Sequence, residues 1–550
     1  MRNYIYHQLR CISLLLFLLA GWSIQLTAQG FSPETKTRLQ HVIDSFQNNP
    51  ANPFVGGIAA AIKVDGLAFW QGTTGYAARN VDAQNNLLAG GSAFTTSTLS
   101  RIYSITKTFT APLVLELAKE GVFGLDDPIS LYFPFDQVNP GLNRSVTIRQ
   151  LLAHESGYSD YTDEFQLQVA VAFQPTHVWT PYETVSFVHQ IASPGTVRRY
   201  SSTNYIILGA IIEALTGKPV AQHYRERFFT PLALNSMYVG VREPQPAGTL
   251  LAAPHDNLSP FNPVFQFTGQ PTFPDAYTNV SQFPFTGIVS LAFTGGAIVS
   301  NVSDVAEWGN ALFMGKATSK ETLDAMMNSI PSTPDQDGDY LGYGIWQSTR
   351  MSSTEKFIGH DGSAPGYRSV MFYQPDKKLT LVVLTNYHGA DIYALARALY
   401  AAVPEFLCGN QNKKEDKIQL CFNGNKLCID RSAAENFIKK GAFLGECEVS
   451  LSKSIKQQII EEQTITDLSV FPNPFTNKAT ISFNVAESGP VTLRVYDMNG
   501  KLVTTLFTGM AEKGIIERIN WNADKLPAGI YVSRLQTATG SIQRKIVLSR

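Results

Sequence analysis

Ser104 and Lys107 stand three residues apart at the head of the apolar stretch "YSITKTFTAPLVLEL". A serine hydroxyl is a weak nucleophile until a neighbouring group takes its proton. On a helix, a lysine three residues on shares the serine's face and brings its amine within reach. Spacing alone says little, because about two Ser-x-x-Lys matches are expected by chance in a chain this long. Ser353 with Lys356 and Ser450 with Lys453 also fit, but both lie in polar stretches. Only Ser104 precedes a patterned helix, whose first-turn N–H groups and positive end favour a developing oxyanion. The structural alternative is that Ser104 is an N-cap, a position that serine favours without any chemistry.

Two further stretches hold groups suited to proton transfer or close backbone approach. "RRYSSTNYIILG" (198–209) puts Tyr200 in a polar turn before a helix, where a lysine that lowered its pKa would make the phenol useful in proton transfer. "GHDGSAPGYRS" (359–369) puts His360 among glycines on the approach to an apolar strand. Taken singly, Tyr200 reads as packing and His360 as a turn residue.

The elements around these residues follow from periodicity. Residues 57–72, "GIAAAIKVDGLAFWQG", read as two strands joined at Asp65-Gly66. Ile105, Phe109, Leu113 and Leu117 form a helix face ending near Gly121, with Pro112 a candidate kink. Ile207, Ile211, Ala214 and Leu215 before Gly217 mark another helix, and 369–386 reads as two strands around a Pro-Asp turn. Strands at both ends of a helical middle predict an α/β sandwich whose terminal strands share one sheet.

These stretches resemble the serine β-lactamase and penicillin-binding family in its class C β-lactamase and D-alanyl-D-alanine carboxypeptidase branch. The resemblance spans 54–400 and rests on "YSITKTFTA", "GLDDPISLYFP", "LLAHESG", "YSSTNYIILG", "TGGAIVSNVSDVAEW" and "GHDGSAPGYRS". It implies an antiparallel sheet with helices on both faces, a helical subdomain and a covalent acyl-enzyme, with neither cofactor nor metal. By that resemblance Ser104 attacks a carbonyl, Lys107 activates it electrostatically and Tyr200 relays the proton. The backbone N–H groups of Ser104 and Ser363 form the oxyanion hole, and Ser202, His360, Gly362 and Ser363 contact the substrate. His154 of "LLAHESG" is read as structural. The sequence departs from the family pattern at Ser202, where asparagine is usual, and at His360, where lysine is frequent. Histidine holds a carboxylate less firmly than lysine at neutral pH. The expected activity is that of a D-alanyl-D-alanine carboxypeptidase or β-lactamase-related amide hydrolase on a small peptide, β-lactam or ester. An esterase of the same fold and a non-catalytic penicillin-binding or sensing protein are the alternatives.

The remaining features bear on export. Arg2 and Arg10, the apolar run from Ile12 to Ala20, and Thr27-Ala28 predict a signal peptide over 1–28; the run is too short for a membrane anchor. The net charge of −1, without long runs of like charge, disfavours nucleic acid and acidic membranes as partners, and no second long apolar stretch follows. The serine hydrolase domain is expected over 29–403 and a linker with a cysteine motif over 404–466. Cys408, Cys421, Cys428 and Cys447 suit disulfides better than zinc in an exported chain, with three pairings open. Short strands after Asp467 predict a small β-sandwich. Residues 467–550, with "VFPNPF", "LRVYDMNGKLV" and "LPAGIYVSRL", resemble a type IX secretion C-terminal sorting domain. That implies type IX secretion machinery as partner, passage through the periplasm and outer membrane, and a secreted or cell-surface product. An adhesion or carbohydrate module is disfavoured because Trp521 is the sole tryptophan there.

Overall fold

The computed structural model describes residues 30–49, 54–335, 338–409, 416–447 and, with short gaps, 467–548. The expected signal peptide and the stretch 448–466 lie outside the described residues. The chain divides into two compact units, 1–447 and 448–550.

The first unit is built on an eight-stranded antiparallel sheet. In chain order its strands are β1 (Gly57–Val64), β2 (Ala68–Val81), β3 (Leu87–Ala93), β4 (Tyr340–Leu341), β5 (Trp346–Gln347), β6 (Ile358–Ala364), β7 (Tyr367–Gln374) and β8 (Leu379–Thr385). Their order across the sheet is β3-β2-β1-β8-β7-β6-β5-β4. The first and last strands pair directly, Ile58 opposite Thr385 through Val64 opposite Leu379, as the sequence predicts. Gly66 takes φ of 67° in the β1–β2 turn, a conformation that costs a residue without a Cβ little.

Period-two alternation decides what each face of the sheet meets. Ile58, Ala60 and Ile62 of β1 join the core beneath the terminal helices α1 (Pro33–Gln47) and α8 (Ile392–Ala402). Ala59 and Ala61 face the larger helical layer. That layer includes α2 (Lys107–Lys119), α3 (Phe165–Phe173), α4 (Ser202–Thr216), α5 (Asn262–Thr268), α6 (Thr286–Gly296) and α7 (Val302–Phe313). Helix α2 is buried on most of its surface and carries Pro112 within it; Phe109 stacks on Trp308 of α7 at 3.7 Å. Helix α4 ends where its apolar pattern does, at Gly217 in the left-handed region.

Composition at 404–447 suggests a linker, but this segment folds onto the hydrolase unit. Ile418, Leu420, Ile438 and Leu444 share one apolar core with Phe31 and Leu39, and Leu444 N–H donates to the Gly30 carbonyl at 2.7 Å. The disulfides Cys408–Cys428 and Cys421–Cys447 select one of the three open pairings. Replacing Cys421 and Cys447 with serine is expected to destabilise this unit by about 2–4 kcal/mol, read as a lower midpoint in denaturant.

The second unit contains a three-stranded and a four-stranded antiparallel sheet. Their strands share a core that includes Ile481, Leu493, Trp521, Leu535 and Ile546. No helix among the described residues is long and apolar enough to cross a membrane.

Candidate active site

Tyr103–Thr106 form a short 3-10 turn that leads directly into α2. Ser104 is therefore not an N-cap: no side chain caps either helical segment. Tyr103 adopts φ of 41°, a strained value for a bulky side chain that costs about 1–3 kcal/mol and is retained only where its surroundings enforce it.

Lys107 is completely buried. Its Nζ donates to Ser104 Oγ at 3.1 Å, Ser202 Oγ at 3.4 Å and the Gly295 carbonyl at 2.8 Å. Three acceptors match the three protons of an ammonium, so loss of one proton leaves a lone pair that can face Ser104. Burial brings the Lys107 pKa down to about 7, while the nearby carboxylates of Asp160 and Asp361 oppose the shift. A buried amine poised near neutrality is suited to accept the serine proton. A base role for Lys107 is thus open beside the electrostatic activation that the family resemblance implies.

Tyr200 lies just before α4, where the sequence reading puts it. Its hydroxyl is buried and interacts with the hydroxyls of Ser104 and Ser202. Burial raises its pKa well above the ordinary phenol value, even though Lys107 Nζ lies 4.9 Å from the ring centroid. Desolvation outweighs the hydrogen bonds with Ser104 and Ser202 that favour the phenolate, and the Asp160 and Asp361 carboxylates add to the rise. Tyr200 thus remains a phenol, a donor rather than a base. Tyr200→Phe is expected to lower turnover by about a hundredfold while leaving the acidic limb of the pH–rate profile in place.

His154 is buried, and its Nδ1 accepts from Ser201 N–H at 3.1 Å. Its ring stacks on Tyr200 at 4.7 Å, and burial brings its pKa down to about 3. Its contacts support Tyr200, in keeping with a structural reading. His360 departs from the turn-residue reading: it lies within β6 and is buried, with its ring 4.0 Å from that of Trp346. Its Nδ1–H donates to the Asp361 carbonyl at 2.6 Å. Burial holds its pKa well below the usual histidine range, so the ring is neutral and supplies no cation for a substrate carboxylate.

Gly362 has a specific spatial reason. A Cβ there would lie 2.2 Å from the Ile102 carbonyl oxygen and 2.4 Å from Ser369 Oγ, so glycine lets β6 approach the turn that carries Ser104. Ser363 follows, exposed on the cleft, with its Oγ 3.4 Å from His388 Nε2. Ser202 is buried at the head of α4, and its N–H donates to Asp160 Oδ2 at 2.8 Å.

These groups border a cleft of about 610 Å³. Ser104, Tyr200, Ser202, Asp361 and Ser363 contribute its polar side, and Leu167, Val171, Phe261, Phe265 and Phe283 much of its apolar side. The stretch 240–290, whose individual residues carry no decisive sequence signal, supplies three of those five side chains. His360 and Gly362 stand behind the cleft surface instead of on it. Asp160 and Asp361, which the motif reading passes over, both reach it. Asp361 lies inside the stretch "GHDGS" and accepts from Tyr393 Oη at 2.9 Å. Its sole sequence signal is a charged residue between His360 and Gly362.

A family model described as Beta-lactamase matches residues 46–403. The chain belongs to the β-lactamase family. A second model, the secretion system C-terminal sorting domain, matches 469–549 and identifies the second unit as a type IX sorting domain, which directs export to the cell surface or beyond. The chain is 25% identical to penicillin-binding protein 4* of Bacillus subtilis over 62% of its own length and 74% of that protein. It is also 25% identical to a D-aminopeptidase of Cereibacter sphaeroides, over 66% of its length and 62% of that enzyme, so it spans less than two thirds of this relative. Among solved structures it resembles a D-stereospecific amidohydrolase from Streptomyces at 26% identity and a TM-score of 0.54, covering 67% of this chain and 99% of that one. The D-amino acid amidase of Ochrobactrum anthropi SV3, solved with L-phenylalanine amide, aligns at 25% identity and a TM-score of 0.53, covering 67% and 96%. The β-lactamase-like unit is therefore of the serine hydrolase class.

Proposed function

We propose that the exported enzyme hydrolyses amides through an acyl-enzyme on Ser104, with an apolar acyl group in the cleft and no free carboxylate beside the scissile bond. The observation that carries this reading is the 3.1 Å contact between the buried Lys107 amine and Ser104 Oγ at the cleft. Ser104 Oγ attacks the carbonyl carbon and its proton passes to Lys107. The backbone N–H groups of Ser104 and Ser363 hold the resulting oxyanion; loss of one such donor costs about 3–4 kcal/mol. Tyr200 gives its phenol proton to the departing nitrogen and is reprotonated from Lys107. Water then attacks the ester carbon with Lys107 again as base, releasing the acid and restoring Ser104.

The charges on β6 favour an amidase over the carboxypeptidase first expected. His360 is neutral, and Asp361 places a carboxyl group on the cleft next to Ser363. That pairing offers a substrate carboxylate no cation on β6, leaving Arg199 as the cationic side chain on the cleft, and suits the substrate classes named by the aminopeptidase and amidase relatives. Ser202 gives an ester reading some support, since a hydroxyl replaces the side-chain amide that contacts substrate amides elsewhere in the family.

The test is intact-mass analysis after exposure to an activated ester, followed by peptide mapping, together with turnover of phenylalanine amide in both enantiomers and of a D-alanyl-D-alanine peptide. An adduct on Ser104 and faster turnover of the amide are expected. An adduct elsewhere, or none, overturns the acyl-enzyme assignment. Preference for the carboxylate-bearing peptide overturns the amidase reading.

A further inference from the structure

The cleft does not end where its walls do. Helices α3 and α5 pack together over it, with Phe173 and Phe267 in ring contact at 5.7 Å. Their inner residues Leu167, Val171 and Phe265 are buried and line the cleft. Among their outer residues, which include Gln166, Gln168 and Gln266, two large apolar side chains stand out: Phe165 is 74% exposed and Phe267 80%. Neither helix contains a charged residue. Phe261, just before α5, both lines the cleft and is 38% exposed, and its ring meets that of Phe265 at 6.0 Å, so an apolar side chain at the cleft mouth joins the interior to the surface of α5.

We propose that this aromatic lip is an extension of the acyl subsite, and that the enzyme takes amides or esters whose acyl chain is apolar and longer than the cleft. This rests on the acyl-enzyme reading above. Continuity through Phe261 ties the lip to the ligand of the cleft. A membrane surface fits less well, because membrane-docking helices carry lysine or arginine beside their apolar face and these two helices have none. An acyl chain leaving the cleft would cover Phe165 and Phe267 only while substrate is bound, which accounts for their exposure in the free protein.

The test uses 4-alkanoyloxybenzenesulfonates from acetyl to dodecanoyl, kept below aggregation, with the full chain and a Phe165→Ser/Phe267→Ser double variant of matched melting temperature. Each buried methylene is worth about a fourfold gain in transfer, so part of that gain from hexanoyl to dodecanoyl gives the native protein an increase in kcat/KM of about tenfold or more. In the double variant the dodecanoyl-to-hexanoyl ratio is expected to fall by about tenfold. Equal ratios in the two proteins, or a native rate that declines beyond hexanoyl, overturn the proposal.

Binding is measured separately by calorimetry on Ser104→Ala protein, and on the triple variant that adds Phe165→Ser and Phe267→Ser, with the uncharged N-hexanoyl and N-dodecanoyl ethanolamines kept below aggregation. Tighter binding of the longer chain, lost in the triple variant, supports the lip even if no adduct on Ser104 is found, so the two readings fail independently. Binding without chain-length preference overturns it. So does a lip that acts only in cosedimentation with phosphatidylcholine vesicles or in self-association of the protein.

Discussion

Lys107→Met is expected to lower the rate of Ser104 acylation at pH 7 by about a thousandfold or more, approaching the loss in Ser104→Ala. In the proposed mechanism the two residues act as one proton-transfer unit, so their losses should not add. In the native enzyme kcat/KM should fall on the acidic side of about pH 7, tenfold per pH unit, because the reactive form is the neutral amine and burial holds the Lys107 pKa near 7. The sign follows from the base: protons added below pH 7 occupy the lone pair that must receive the serine proton. The two buried histidines of the site do not account for this limb, since burial brings His154 to about 3 and keeps His360 well below the ordinary value. His388, 3.4 Å from Ser363 Oγ, is checked by recording the same profile on His388→Gln, in which the limb is expected to persist. Methionine has nearly the volume of the lysine stem and leaves the buried site without an unpaired charge. Stopped-flow acylation between pH 5 and 9 on the three proteins decides the matter. A limb near pH 7 that survives in residual Lys107→Met activity would assign the base elsewhere.

The residues of the site were legible in proportion to how local their geometry is. Ser104 and Lys107 could be paired from sequence because one turn of backbone fixes their separation. Tyr200 and His360 could be found from their surroundings, but not their protonation. That depends on how much water the whole fold removes, a sum over α4, β5, β6 and the turn at Ser104 that no local pattern contains. Hence the expectation of a lysine-lowered Tyr200 gave way to a phenol raised by burial. Asp160 and Asp361 were passed over because a lone carboxylate in a polar stretch has no period. The sheet was legible because β1 and β8 are both apolar enough to be buried on two faces. The segment 404–447 reads as a linker by composition, yet Ile418, Leu420, Ile438 and Leu444, scattered among charges, are enough to anchor it.

Gly362→Ala is expected to reduce acylation by about a hundredfold, mainly in kcat, and to destabilise the hydrolase unit by about 1–3 kcal/mol. The added methyl group would lie 2.2 Å from the Ile102 carbonyl oxygen and 2.4 Å from Ser369 Oγ. The first is backbone, two residues before the nucleophile, and Ser369 Oγ itself donates to that carbonyl at 2.9 Å. Relief therefore requires β6 to move away from the turn at Ser104. In the proposed mechanism that movement draws the Ser363 N–H away from the Ser104 N–H, and an oxyanion held by one donor is stabilised far less than one held by two. Trimming Ser369 to alanine removes the lesser clash and leaves the backbone one, so the Gly362→Ala/Ser369→Ala pair should recover little of the lost rate. Recovery close to the native rate would show that Gly362 serves packing against Ser369 alone, and that the approach of β6 to Ile102 does not set the distance between the two oxyanion donors.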